Sequence, residues 1–377
     1  MKIAIVAPET RPVPPVRGGA VQLYIDEVVR RLSKRHKITL FTPRGGGKRN
    51  PYGRRVKVYR IKKKNYLKRV RKKVRRRHFP IIHTFNRPHF IRSLHKVSPR
   101  SKYLLNLHNT LDERKRRGWR KGMKKTDFFI ANSNFTRRDA LRRFRKVKRS
   151  KITTVHLGID TGKFIMKWSN PRRLNQLKRK LKVKGRKVVL FVGKIHKKKG
   201  LNTLISASRI AKKRNKNLLV IIVGGMDHGV RWKNVYFRKI ERRAKRALGK
   251  KHVRFTGFVS PKRVAQYYAV ADVFVCPSVW KEPFGRVNLE AMASGLPVVS
   301  TRRGGISEVV VHKKTGYLVN NPRNAKRMAK YIHKLLNNRK LARRLGTAGR
   351  RRAVARFSWS SVIRKINRVY RKVSRRR

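Results

Sequence analysis

Four of the chain's 14 acidic residues fall within one stretch, 266–308, among them the glutamates Glu282, Glu290 and Glu308, in a sequence that carries 108 Lys and Arg. A carboxylate retained against that background is expected to have a job. The chemistry it suits best here is holding, because two carboxylates accept hydrogen bonds from two parts of one hydroxyl-rich ligand. Neither is obliged to act as acid or base. Between the first two, Pro283-Phe284-Gly285 breaks the chain and NLEAMAS then has strong helical propensity, so a helix is expected to start near Gly285 or Arg286. Its open amides, from Gly285 to Val287, would suit phosphate or sugar oxygens. The structural alternative is that Glu290 pairs on the helix face with Arg286, four residues earlier, while Glu282 is a surface loop acid.

The elements that must position these groups read as alternating strands and helices. Strands are expected at 2–7, 37–41, 56–61, 81–85, 103–108 and 128–133, and again at 188–193, 218–225, 253–260, 273–278 and 316–319. Such alternation predicts α/β architecture with parallel, doubly wound sheets, whose ligands sit where strand ends meet helix starts. After the first strand a Pro-rich loop closes on Gly18-Gly19 before a helix, a place where backbone can approach an anion closely. The segment 44–55 is a loop by its glycines and proline. An amphipathic helix is expected over 357–373.

Composition bounds the alternatives. At 377 residues the chain is long enough for two domains, and its formal net charge of +94 is far beyond what solubility needs. The basic residues recur among Ala, Leu, Phe and Val along helix-like stretches, as in a folded protein whose solvent faces have been made almost uniformly cationic. Nonspecific binding to RNA or DNA at low salt follows, since each phosphate contact releases counterions. Only 8% of residues are aromatic and many lie in strand-like runs, which argues against a dedicated nucleic-acid module. The single Cys276 excludes an internal disulfide, and the evenly spaced His83, His89 and His95 lack a metal-binding partner set. The first strand is too short for a signal peptide and no run is apolar enough to span a membrane, so a cytoplasmic protein is expected.

E-P-F-G-x-V-x-x-E, followed by AMASGLPVV and GG-I-S-E, resembles the signature of the family 4 glycosyltransferases of the GT-B fold. The resemblance spans nearly the whole chain and is strongest over 188–319. It implies two Rossmann-like domains facing a cleft: 1–184 on the acceptor side, 185–355 binding the nucleotide sugar, and 356–377 packing back on the first domain. The runs RGGAVQLYI, HTFNRP and LHN look most like the branch that includes spore coat proteins, which leaves a spore-coat association open.

The resemblance also assigns roles. Glu282 would hold the donor sugar hydroxyls and Glu290 the ribose. Where the family has Gly-Arg and later Lys-Gly, this chain has Gly193-Lys194 and Lys199-Gly200; two cations there suit a diphosphate whose charge grows as the sugar bond breaks. Lys194 keeps the charge of the usual Arg and loses its bidentate fork. Gly18 and Gly19 would line the diphosphate, Phe258 and Val259 the base, and His108 the transferring sugar. Asn86 at a neighbouring strand end and Arg286 are further candidate contacts, and Glu308 would orient the Lys pair or cap a helix. The expected activity is retaining sugar transfer from a nucleotide-diphosphate donor, UDP-linked, to an unnamed acceptor. No metal or other cofactor is expected, as no Asp-x-Asp is present. A non-catalytic coat or scaffold protein of the same fold and a generic polyanion binder are the rivals.

Overall fold

The computed structural model describes residues 1–16, 19–45, 50–110, 116–226 and 234–375, and the chain divides into two compact units, Met1–Gly158 with Trp359–Arg377, and Ile159–Ser358. In the first unit the strands are β1 (Lys2–Val6), β2 (Lys37–Pro43), β3 (Val56–Ile61), β4 (Ile81–Phe85), β5 (Lys102–Leu107), β6 (Phe128–Ala131) and β7 (Ile152–Thr154). The helices between them are α1 (Ala20–Leu32), α2 (Tyr66–Arg75), α3 (Pro88–His95), α4 (Arg116–Lys124) and α5 (Asn134–Arg143). All pairings are parallel, in the order β3-β2-β1-β4-β5-β6-β7, so the winding direction reverses between β1 and β4.

The second unit repeats the plan with β8 (Lys187–Val192), β9 (Leu218–Val223), β10 (Val253–Gly257), β11 (Val273–Cys276), β12 (Val298–Thr301) and β13 (Gly316–Val319). Its helices are α6 (Pro171–Lys180), α7 (Leu201–Lys213), α8 (Val235–Leu248), α9 (Pro261–Val270), α10 (Arg286–Ala293), α11 (Ile306–Val309), α12 (Ala325–Asn337) and α13 (Arg339–Phe357). The strand order β10-β9-β8-β11-β12-β13 places the reversal between β8 and β11. Finally α14 (Trp359–Ser374) returns to the first unit, where its Tyr370 and Trp359 pack beside His83 and Tyr24.

Strand composition explains this architecture. LLVIIV of β9 is buried at every position, the signature of a strand covered on both faces by helices. The helices show the complementary pattern: α1 buries Tyr24, Ile25, Val28, Val29 and Leu32, and α12 buries Met328, Ala329, Ile332 and Leu335, one apolar stripe each. With acids so scarce, helix starts are capped by neutral side chains. Ser133, Asn170, Asn234, Asn324 and Asn338 each accept an amide hydrogen bond at the head of α5, α6, α8, α12 and α13.

The expected domain break and the expected start of the final helix both move. The domain break expected near Lys184 lies at Gly158–Ile159, because 159–184 is tied into the second unit: Lys167 Nζ donates to Ala271 O and Asp272 Oδ1, and Trp168 Nε1 to Gly295 O. The last strand of the first sheet ends at Thr154, and Gly158 leaves no room for a side chain against Trp359. The final helix starts at Trp359, since Phe357 closes α13 and Ser358 is extended, with Phe357 O accepting from Ile159 N. Among the described residues no helix is long and apolar enough to cross a membrane.

Candidate functional site

The reversal between β8 and β11 puts the loops that follow these two strands side by side, and Lys199 and Glu282 stand on them. Lys199 Nζ donates to Glu282 Oε1 at 2.6 Å, and the same oxygen accepts from Ser278 Oγ at 2.6 Å. Glu282 is 7% exposed, so this carboxylate is held by an ammonium and a hydroxyl out of bulk water. It is not a surface loop acid. The Lys199 and neighbouring Lys198 ammonium groups also lie 5.7 and 5.2 Å from the centre of the Trp280 ring.

Close backbone approach locks the two loops together. Gly200, in the left-handed conformation at φ 70°, begins α7, and a Cβ there would lie 1.9 Å from Pro277 O. Val279 N donates to Lys198 O across the same gap. On the other side Gly304 and Gly305 pass against the backbone of Glu282 and Pro283, with Gly305 N donating to Glu282 O at 2.7 Å. Gly200→Ala is therefore expected to push the Lys199 loop off the Glu282 loop and to cost about 3 kcal/mol. Urea unfolding of both proteins measures this, and an unchanged midpoint would contradict it.

Gly285 adopts φ 87° and opens α10, as its sequence context predicts. Within the helix Arg286 Nε donates to Glu290 Oε1 at 2.9 Å, and Tyr268 Oη donates to Glu290 Oε2 at 3.0 Å. The i, i+4 pairing of Arg286 with Glu290 is thus present. Burial, and then Glu290 itself, push the Tyr268 phenol well above its ordinary range, so it remains a donor. Asn288, wholly buried on α10, has neither side-chain polar atom paired among the described residues. Cys276 lies beneath this site, and burial first, with Glu282 adding to it, raises its thiol pKa; it is no nucleophile.

Other expected site residues lie apart. Lys194 is exposed at the start of the loop in which Lys199 is half-buried, and Phe258 is 36% exposed beside the half-buried Val259 after β10. Glu308 belongs to the short α11, where its backbone oxygen accepts from Arg352. Gly18 lies outside the described residues. Gly19, at φ 127°, precedes α1, and a Cβ there would meet Gln22 Oε1 at 2.5 Å.

In the first unit Asn86, left-handed at φ 53°, accepts from His108 N at 2.7 Å, so these two candidates are brought together at the ends of β4 and β5. The His108 ring is buried against Tyr24 at 4.6 Å, with no hydrogen-bond partner for Nε2 among the described residues, and burial depresses its pKa to about 3. At the reversal between β1 and β4, Arg87 Nε donates to both oxygens of Glu9, at 3.1 and 2.7 Å. Burial alone would raise the Glu9 pKa, but hydrogen bonding from Arg87 and the charges around it hold the value below the ordinary one. This pair, together with Ser278 and Tyr268, was not anticipated. The scarcity of acids that singled out Glu282 also applies to Glu9.

Both units place an ion pair at the reversal of a doubly wound parallel sheet, the crevice where such sheets take ligands. Two family models divide the chain in the same way: Glycosyltransferase Family 4 over residues 17–163 and Glycosyl transferases group 1 over residues 173–352. The chain belongs to the glycosyltransferases of the GT-B fold. It is 32% identical over 380 residues to Spore coat protein SA of Bacillus subtilis (strain 168), covering 99% of this chain and 100% of that protein. Among solved structures, Anabaena HepE in complex with UDP matches with a TM-score of 0.80 at 20% identity, over 99% of this chain and 100% of that one. HepE has also been solved with UDP-glucose. A glycosyltransferase from Rickettsia africae ESF-5 matches with a TM-score of 0.81 at 19% identity, over 100% and 99% of the two chains.

Proposed function

We propose that this chain transfers a sugar from a UDP-linked donor to an acceptor with retention of anomeric configuration. The observation that carries the reading is the buried Glu282 carboxylate ion-paired to Lys199 and bonded to Ser278 at the reversal of the second sheet. In this reading Lys199 and Lys194 stabilise the charge that grows on the diphosphate as the glycosidic bond breaks, so that leaving-group stabilisation carries much of the rate. Glu282 accepts from sugar hydroxyls, and amides of Gly285 to Val287 take phosphate oxygens. Glu290, oriented by Arg286 and Tyr268, accepts from the ribose. Phe258 and Val259 pack on the base.

A diphosphate contact for Gly18 and Gly19 is assigned on the family resemblance alone, and Asn86 accepts from the His108 backbone. The unpaired Nε2 of a neutral His108 serves the transferring sugar as a hydrogen-bond partner. Glu308 helps orient the loop. The UDP assignment draws on the nucleotide in HepE, and cytoplasmic residence is the setting in which such donors occur. A second reading, a coat protein without turnover, is favoured by the full-length likeness to Spore coat protein SA.

A thermal-shift panel at moderate salt tests donor binding. UDP-glucose at saturating concentration is expected to raise the melting temperature by roughly 5 °C, more than GDP-mannose or pyrophosphate do. Equal shifts from UDP-glucose and pyrophosphate would reduce the site to an anion trap. A larger shift from GDP-mannose would replace the base.

A further inference from the structure

The second unit has a cavity lined by none of the residues assigned to sugar transfer. About 900 Å3 in volume, it opens along β13, the terminal strand of the sheet, beneath one face of α12. Arg327, Lys330 and Lys334 recur along α12 at helical spacing, and Arg344 of α13, Lys313 before β13 and Arg302 after β12 complete a ring of six cations. Among the described residues no carboxylate lines the cavity. Asn320, Asn321 and Asn324 add neutral amides. Asn320 Oδ1 accepts from Arg302 Nε at 2.8 Å, a contact that orients the guanidinium without neutralising it.

Charge alone does not distinguish this place on so basic a chain. Concavity does, because low-dielectric walls focus the field of the six cations on one volume. The cavity runs beside an edge strand, which invites a partner strand, yet that route is closed: the outward amide of Leu318 donates to His312 Nδ1 at 3.0 Å. The His312 ring packs edge-on to Tyr317 and Tyr331, themselves stacked 4.4 Å apart at 10°, which braces the blocked edge. Burial, with Arg302 and Lys313 nearby, lowers the His312 pKa, so the imidazole adds a cap rather than a charge.

We propose that this cavity binds a compact polyphosphate, a soluble anion whose clustered phosphates are shared among the Arg forks and Lys ammonium groups around it. Inorganic tripolyphosphate titrated calorimetrically into the full chain at moderate salt is expected to show a saturable binding event. The triple variant Lys313→Gln, Lys330→Gln, Arg344→Gln should weaken that event at least about tenfold. These side chains are exposed, so the variant keeps its fold. A control triple that removes the same charge from α6, Arg172→Gln, Arg179→Gln, Lys180→Gln, should stay within about twofold of the parent.

Equal weakening by the two triples would reduce the effect to overall charge. Binding untouched by the cavity triple would place polyphosphate elsewhere, including the donor site. Hexaglutamate competing as tightly as tripolyphosphate would make the cavity an acidic-peptide site. Each of these results overturns the proposal.

Discussion

Glu282→Ala is expected to lower the release of UDP from a UDP-linked sugar by about 100- to 1000-fold, the range seen when one preorganised group is removed from a developing-charge site. The loss has two parts. Sugar hydroxyls lose their acceptor, and Lys199 Nζ and Ser278 Oγ, both bonded to Glu282 Oε1 at 2.6 Å, lose theirs. An ammonium left without its counterion in a site where the carboxylate side chain is only 9% exposed also weakens the fold, by about 3 kcal/mol. Glu282→Gln separates the two parts. The amide oxygen can still accept from Ser278, so the fold should hold while the charge that positions Lys199 is gone, and turnover should fall between the other two proteins. If the parent chain and Glu282→Ala release UDP at the same background rate, the coat reading replaces the enzyme. If both turn over equally fast, the assigned role of Glu282 is wrong.

A carboxylate retained among so many cations does have a job, but the job is often structural. Asp127 accepts from Tyr103 N at the start of β5, and Asp272 accepts from Val188 N near the start of β8 while pairing with the buried Lys167. Asp139, 5% exposed, holds Arg143 on the face of α5. Retention therefore marks a constraint on the backbone or the interior as readily as a ligand site. What set Glu282 apart was its flanking Pro-Phe-Gly, which forces the left-handed start of α10 at Gly285.

The doubly wound sheets were legible because runs such as LLVIIV and VVLFV have only one soluble solution, burial on both faces. The order of strands within each sheet was not, since it depends on which loops cross, and so the reversals that join Lys199 to Glu282 and Arg87 to Glu9 were invisible. Ser278 and Tyr268 went unread for a related reason. Each is an ordinary strand-end or helix residue in sequence, and only the fold brings its hydroxyl to a carboxylate. The break at Gly158 escaped notice because the basic segment that follows looks like a linker, whereas Lys167 and Trp168 anchor it to the second sheet.

Acid is expected to destabilise the first unit through histidines rather than carboxylates. His83 and His108, on and just after neighbouring strands, are buried at 0% and 5% exposure, and burial lowers both pKa values to about 3, with His108 adding to the cost of charging His83. His83 Nδ1 bonds Tyr370 Oη at 2.8 Å, while Nε2 of each ring has no partner among the described residues. The rings packed around them, Tyr24, Phe85 and Tyr370, offer no carboxylate to stabilise an imidazolium. In the unfolded chain a histidine titrates near 6.5. Between that value and about 3 the unfolded state therefore binds more protons than the folded one, and stability falls as pH falls. Each ring approaches about 1.4 kcal/mol per pH unit once the unfolded histidine is fully protonated, so between pH 7 and 5 the pair should cost about 4 kcal/mol. The depressed pKa of Glu9 acts in the same direction at lower pH, as its stabilisation is lost on protonation. Urea unfolding at pH 7 and pH 5, at constant ionic strength, should show the drop, and His108→Gln should remove about half of it. A stability that changes by less than about 1 kcal/mol over that range, or a slope that survives His108→Gln intact, would show that these rings do not carry the acid response.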